Sequence, residues 1–133
     1  MEFSISDIWT AGGVILGFQA ASLAWRISQE SEVATRGDLV WLPPADYLNL
    51  LAMATMALGV FVASAVGWAE LFTVRRLFGA STLLFLGHGI ALAGHYELYN
   101  PRTTRSFQWF PLQERVAVAL VIIGMVTYFL AAW

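Results

Sequence analysis

Apolar positions along the chain gather into four long blocks separated by short polar stretches. The blocks cover about residues 7–27, 46–69, 72–96 and 112–133, with 28–45, 70–71 and 97–111 between them. Each block holds about the 20 residues that a helix needs to cross the hydrocarbon core of a bilayer. Ser6 or Asp7 offers an N-cap to the first. Pro43-Pro44 suits a helix start, and Asn100-Pro101 stops the third helix. Pro111 and Glu114 favour the first turn of the fourth. The pattern predicts a single domain over 1–133, an all-α integral membrane protein folded as an antiparallel four-transmembrane-helix bundle.

The tryptophans follow the same division. Trp9 and Trp25 bracket the first block, Trp41 and Trp68 the second, Trp109 and Trp133 the fourth. All six are expected to be interfacial anchors, because an indole is amphipathic and settles at the headgroup level. The third block carries Phe72, Phe78, Tyr96 and Tyr99 in their place. The loop 97–111 is basic and aromatic. It is expected to lie along the interface, with Phe107, Trp109 and Phe110 dipping in and Arg102 and Arg105 near phosphates.

Lipid tails give no hydrophobic drive for helix pairing, so close packing needs small residues. The first helix offers Gly13, Gly17 and Ala21, and the second Gly59, Ala63 and Gly67, each at four-residue steps. The third offers Gly87 and Ala91, and the fourth Gly124, flanked at seven-residue steps by Ala117 and Ala131. These stripes are expected to form the contact faces.

Composition agrees with the pattern. The chain is 59% hydrophobic and 12% charged, against about 45–50% and 25% in soluble domains. A net charge of −2 gives no nucleic-acid footprint. Absence of cysteine removes disulfides, thiolate zinc and iron–sulfur chemistry. Every basic residue is arginine, so a Schiff-base lysine is excluded. The acidic start "MEFSISDIW" has no basic n-region, so the first block is expected to stay as a helix. Arg26, Arg36, Arg102, Arg105 and Arg115 lie in or beside the longer loops, against Arg75 and Arg76 in the short one. Positive-inside asymmetry then puts both termini on the non-cytoplasmic side of a prokaryotic cytoplasmic membrane.

The chemistry concentrates in "GHGIALAGHYELYNPR", residues 87–102. His88 and His95 are seven residues apart, nearly two turns, so they share one helix face about 10.5 Å apart along the axis. Ser81 and Tyr99 extend that stripe. Gln19, Ser22 and Arg26 form another on the first helix, and Asn49 lies at the same end of the second. Two histidines on one helix cannot straddle a haem, and the chain has no third. A chlorin-type pigment needs only one imidazole, and the small residues around His88 and His95 leave room for one. His88, His95, Tyr99 and Arg102 are the candidate cofactor-binding residues. No cofactor is required by the sequence, with a quinone or a porphyrin or chlorin as alternatives. Neither a metal cluster nor a catalytic set can be assembled, so an enzyme is not expected. The first expectation is an accessory or structural subunit of a larger membrane complex, partnered by lipids and other subunits. A quinone- or pigment/haem-associated anchor of an electron-transfer or photosynthetic complex is the alternative. A small homo-oligomeric transporter comes third.

Overall fold

The computed structural model describes residues 4–37, 41–100, 102 and 108–131. Among these the regular structure is helical throughout, and four helices are long and apolar enough to cross a membrane. They are α1 (Ile5–Thr35), α2 (Pro44–Ala65), α3 (Leu71–His95) and α4 (Leu112–Ala131).

The first helix begins at a capping box. Ser4, and not Ser6 or Asp7, is the N-cap: its hydroxyl accepts from the Asp7 amide, and Asp7 Oδ2 accepts from the Ser4 amide at 2.9 Å. This reciprocal arrangement satisfies two otherwise unpaired amides. The helix then continues well past residue 27, where the apolar block ends. "SQESEVAT" contains no breaker, and Arg26–Glu30 and Glu32–Arg36 pair at four-residue spacing. Gly37, at φ +79°, ends it in the left-handed region that glycine adopts without strain.

The second helix changes pitch. Pro44–Ala54 is α-helical, Thr55–Val62 is π-helical, and Ala63–Ala65 closes the element. Hydroxyls bracket the wide segment: Thr55 donates to the Leu51 carbonyl, and Ser64 to the Val60 carbonyl. Such back-bonding loosens the regular ladder. The helix stops at Ala65, short of residue 69, because Gly67 turns the chain at φ +74°.

The interior has two unlike halves. At one end Ile8, Met56, Val60 and Val74 form a dry core, with Phe61, Leu77 and Phe78 packed against it. Near it Trp9 Nε1 donates to Ser64 Oγ at 3.0 Å. At the other end the apolar core is only Ala45, Ala91 and Ala117 with their neighbours, and polar side chains fill the remaining space.

Helix contacts are made by glycines, though not always those of the regular stripes. Gly13, Gly17 and Ala21 are exposed, as is Gly124. The inward face of α1 is one residue out of phase and carries Ile8, Gly12, Gln19 and Arg26. A Cβ at Gly12 would meet Met56 Sδ at 3.1 Å. The reason is energetic: Gln19 and Arg26 must find partners, whereas a glycine can face outward at little cost. Gly59 approaches Leu77, and Gly87 approaches Val121. Ala91 is buried, Ala63 is half-buried, and Gly67 is exposed in its turn. The closest approach is at Gly94, where a Cβ would lie 2.9 Å from the backbone of Gln113 and Glu114.

Trp25, Trp68 and Trp109 are exposed, Trp9 is just over one-third exposed, and Trp41 is half-buried. Trp109 Nε1 donates to the Leu42 carbonyl at 3.2 Å, joining two connecting segments. Trp133 lies outside the described residues, as do Arg105 and Phe107.

Candidate functional site

Among the described residues seven polar or charged side chains are buried: Gln19, Arg26, Asp46, Asn49, Ser81, His88 and Glu114. All seven come together toward the end of the molecule where α2 and α4 begin and α3 finishes. They link all four helices.

The outer layer is built on Glu114. Two prolines open α2, and Pro43 has no side-chain hydrogen bond to offer its amides. The carboxylate of Glu114, from the first turn of α4, supplies that cap from another helix: Oε1 accepts from the Ala45 amide at 2.6 Å. A negative charge there also faces the positive end of the α2 dipole. Its second oxygen, Oε2, lies 2.8 Å from His95 Nδ1. Glu114 has no exposed side-chain surface, whereas His95 retains a little. The imidazole also packs edge-on against Tyr96, with ring centroids 5.4 Å apart. Gly94 makes this layer feasible, because only a residue without Cβ lets α3 come so near to α4.

Arg26 organises the next layer. Nε donates to Asp46 Oδ2 at 3.1 Å, Nη1 to the Tyr96 hydroxyl at 2.6 Å, and Nη2 to Glu30 Oε1 at 2.8 Å. Both members of the Arg26–Asp46 pair are buried. A desolvated guanidinium is tolerable only when paired and hydrogen-bonded in this way.

His88 lies one layer deeper. Nδ1 is 2.9 Å from the Ala45 carbonyl, which can only accept, so Nδ1 carries a proton. In the neutral ring Nε2 then accepts from Ser22 Oγ at 3.2 Å. Asp46 Oδ1 is 3.7 Å from Nδ1. Ala45 therefore serves α2 as a double anchor, its amide on Glu114 and its carbonyl on His88. Phe85 stacks on the imidazole at 6.2 Å between centroids.

The deepest layer is neutral. Gln19 Nε2 donates to Ser81 Oγ at 3.1 Å, Ser81 donates to the Ala52 carbonyl at 2.7 Å, and Asn49 Nδ2 donates to the Gln19 carbonyl at 3.0 Å. Beyond it begins the dry core around Met56. The polar groups therefore run inward from one end and stop.

The four candidate cofactor residues are not brought together. His88 is committed to Ser22 and Ala45, and His95 to Glu114. Tyr99 is exposed; its hydroxyl donates to the Ile90 carbonyl and its amide to Gln113 Oε1. Burial of its phenol nonetheless pushes its pKa above the ordinary value. Arg102 is exposed, and its amide donates to Asn100 Oδ1 at 3.1 Å. Sequence reasoning grouped Gln19, Ser22 and Arg26 as one polar stripe on α1 and put Asn49 at the same membrane side as His95 and Arg26. It missed Asp46 as the partner of Arg26, and Glu114 as the partner of both Ala45 and His95. The available signal was an Asp–Asn pair three residues apart at the head of an apolar helix.

Among the described residues no group of three or more His, Asp or Glu side chains is placed to hold a metal ion. No protein-family model matches the chain, and neither does any curated protein or any solved structure.

Proposed function

We propose that the chain is a non-catalytic subunit of a larger membrane complex, folded in the bilayer as an antiparallel four-helix bundle. Both termini lie on the non-cytoplasmic side of a prokaryotic cytoplasmic membrane. The observation that carries this reading is the contrast between inside and outside. Buried polar side chains bond to backbone groups and side chains of neighbouring helices and tie the helices together. The outer side of α4 carries Leu112, Val116, Leu120, Ile123 and Leu130, all exposed and spaced by four, four, three and seven residues. That spacing keeps the five side chains on one ridge, the kind of surface that packs against another helix. Gentle extraction from native membranes, followed by native electrophoresis and mass spectrometry, tests it. The chain should migrate with other membrane subunits. Recovery only as a monomer or homo-oligomer would refute the reading.

A second reading is a hydrogen-bonding site for a quinone-class ligand at His95. Glu114 fixes the ring, and Nε2 makes no hydrogen bond to any described residue. A carboxylate–histidine pair orients a ligand-facing nitrogen in this manner. An apolar groove of about 520 Å³, lined by Ile90, Tyr99, Leu112, Val116 and Leu120, lies along the same α3–α4 seam and suits an isoprenoid tail. Organic extraction of the purified protein should release a quinone that His95→Ala fails to retain. Equal retention by the variant would dismiss this site.

A further inference from the structure

We infer that the groove between α3 and α4 is a site for one anionic phospholipid, with an acyl chain in the groove and the phosphate on Arg102 and Arg115. The groove has a volume of about 520 Å³, and of its lining residues only Tyr99 and Gln113 carry polar side-chain atoms. Both lie at its outer end, beside Leu112. From there it runs inward past Val116 to Ile90 and Leu120. Between Leu112 and Leu120 the helix rises about 12 Å.

The rim offers donors. Gln113 Oε1 accepts from the Tyr99 amide at 3.1 Å, which fixes the side-chain amide, since a backbone N–H can only donate. The amino group of Gln113 then keeps two N–H donors, and neither is bonded to a described residue. Arg115 lies on the first turn of α4, between Leu112 and Val116 in sequence, and Arg102 follows Tyr99 by three residues. Both are exposed, and neither guanidinium makes a hydrogen bond or ion pair with a described residue. The acids at this end are engaged. Glu114 serves Ala45 and His95, Asp46 and Glu30 serve Arg26, and Glu97 has a partner of its own. Two positive charges are thus left beside the mouth of an apolar groove.

A phospholipid carries its groups in the matching order: phosphate outermost, ester carbonyl beneath it, hydrocarbon below. A guanidinium fits phosphate oxygens in a fork, the Gln113 amino group meets the ester carbonyl, and the groove takes the chain. Basic pockets between transmembrane helices hold anionic headgroups in this way. A zwitterionic headgroup brings its own cation to the same place, and free phosphate leaves the groove unfilled. The inference does not rest on the subunit reading. It competes with the quinone reading for one groove, and the test separates the two.

The full chain is purified in mild detergent, equilibrated with equal amounts of phosphatidylglycerol and phosphatidylcholine, and examined by native mass spectrometry. One phosphatidylglycerol should stay on each chain in preference to phosphatidylcholine. Arg102→Gln and Arg115→Gln should each weaken that retention about fivefold. Arg36→Gln, which removes the same charge from the end of α1, should leave it unchanged. Val116→Trp should block the groove and lower retention with every charge in place. All four positions are exposed, and circular dichroism verifies each fold. Equal retention of the two lipids, or equal effects of Arg36→Gln and Arg115→Gln, would overturn the inference. So would displacement of the lipid by inorganic phosphate. Release of a quinone in place of phospholipid, from chain extracted out of native membranes, would favour the quinone reading and overturn this one.

Discussion

Replacing Glu114 with alanine removes the partner of two groups on two other helices, one buried and one partly buried. The Ala45 amide loses its bond of 2.6 Å, and His95 Nδ1 loses one of 2.8 Å. A lower bound follows from hydrogen bonds measured inside membrane proteins, which average about 0.6 kcal/mol; two give about 1 kcal/mol. An upper bound follows from leaving a buried donor dry, at about 1–3 kcal/mol each; two give about 6 kcal/mol. Glu114 has no exposed side-chain surface, so water cannot replace it without opening the α3–α4 seam. We therefore expect a loss of about 3 kcal/mol. Glu114→Gln separates hydrogen bonding from charge. Its Oε1 still serves Ala45, and its amino group can meet His95 in the other tautomer, so it should lose about 1 kcal/mol. Unfolding in mixed micelles with rising dodecyl sulfate, followed by tryptophan fluorescence, measures both. An alanine variant within about 0.5 kcal/mol of the parent would refute the claim that Glu114 caps α2.

Three further outcomes follow from other parts of the structure. Gly94→Ala should cost about 1–3 kcal/mol by overpacking, since its Cβ would press on the α4 backbone 2.9 Å away, and the same micellar unfolding reads it. Gly17→Leu should stay within about 0.5 kcal/mol of the parent, whereas Gly87→Leu should lose about 1–3 kcal/mol against Val121; equal effects would place the α1 face wrongly. The neutral Tyr99 phenol is favoured by burial, and only that form donates to the Ile90 carbonyl. A folded pKa above the unfolded one keeps this stabilisation below the ordinary value of 10.0 and loses it as pH rises through the folded pKa. Tyr99→Phe should lack that alkaline loss in a pH series of thermal midpoints.

How much of this could be read in the chain differs between levels. The four helices were legible because each rests on a long apolar run, which has few alternative conformations in an apolar solvent. The phase of α1 was not. Gly13, Gly17 and Ala21 make the more regular stripe, but Gln19 and Arg26 decide which face turns inward. The far end of α1 was also missed, because Ser28–Thr35 is polar and hydropathy alone ends the helix at residue 27. Helix propensity and four-residue charge pairs carry it further. At the site, side chains on one helix could be grouped by spacing, as with Ser81, His88 and His95. Partners on different helices could not, since Arg26–Asp46 and His95–Glu114 depend on how the helices approach one another. That approach is set by Gly94 and Ala45, two small residues with no chemical signature of their own.

For a chain folded in the bilayer as proposed, the Arg26–Asp46 pair has a consequence for biogenesis. In a bilayer an arginine costs up to about 2.5–3.5 kcal/mol at insertion, the value for a helix centre. Glu30 pairs with Arg26 on the same helix, but its fully buried counter-charge, Asp46, lies twenty residues downstream, on a segment synthesised later. The first helix should therefore wait in or beside the translocon until the second emerges, and enter the lipid as a hairpin. Chains truncated before Asp46 should insert poorly.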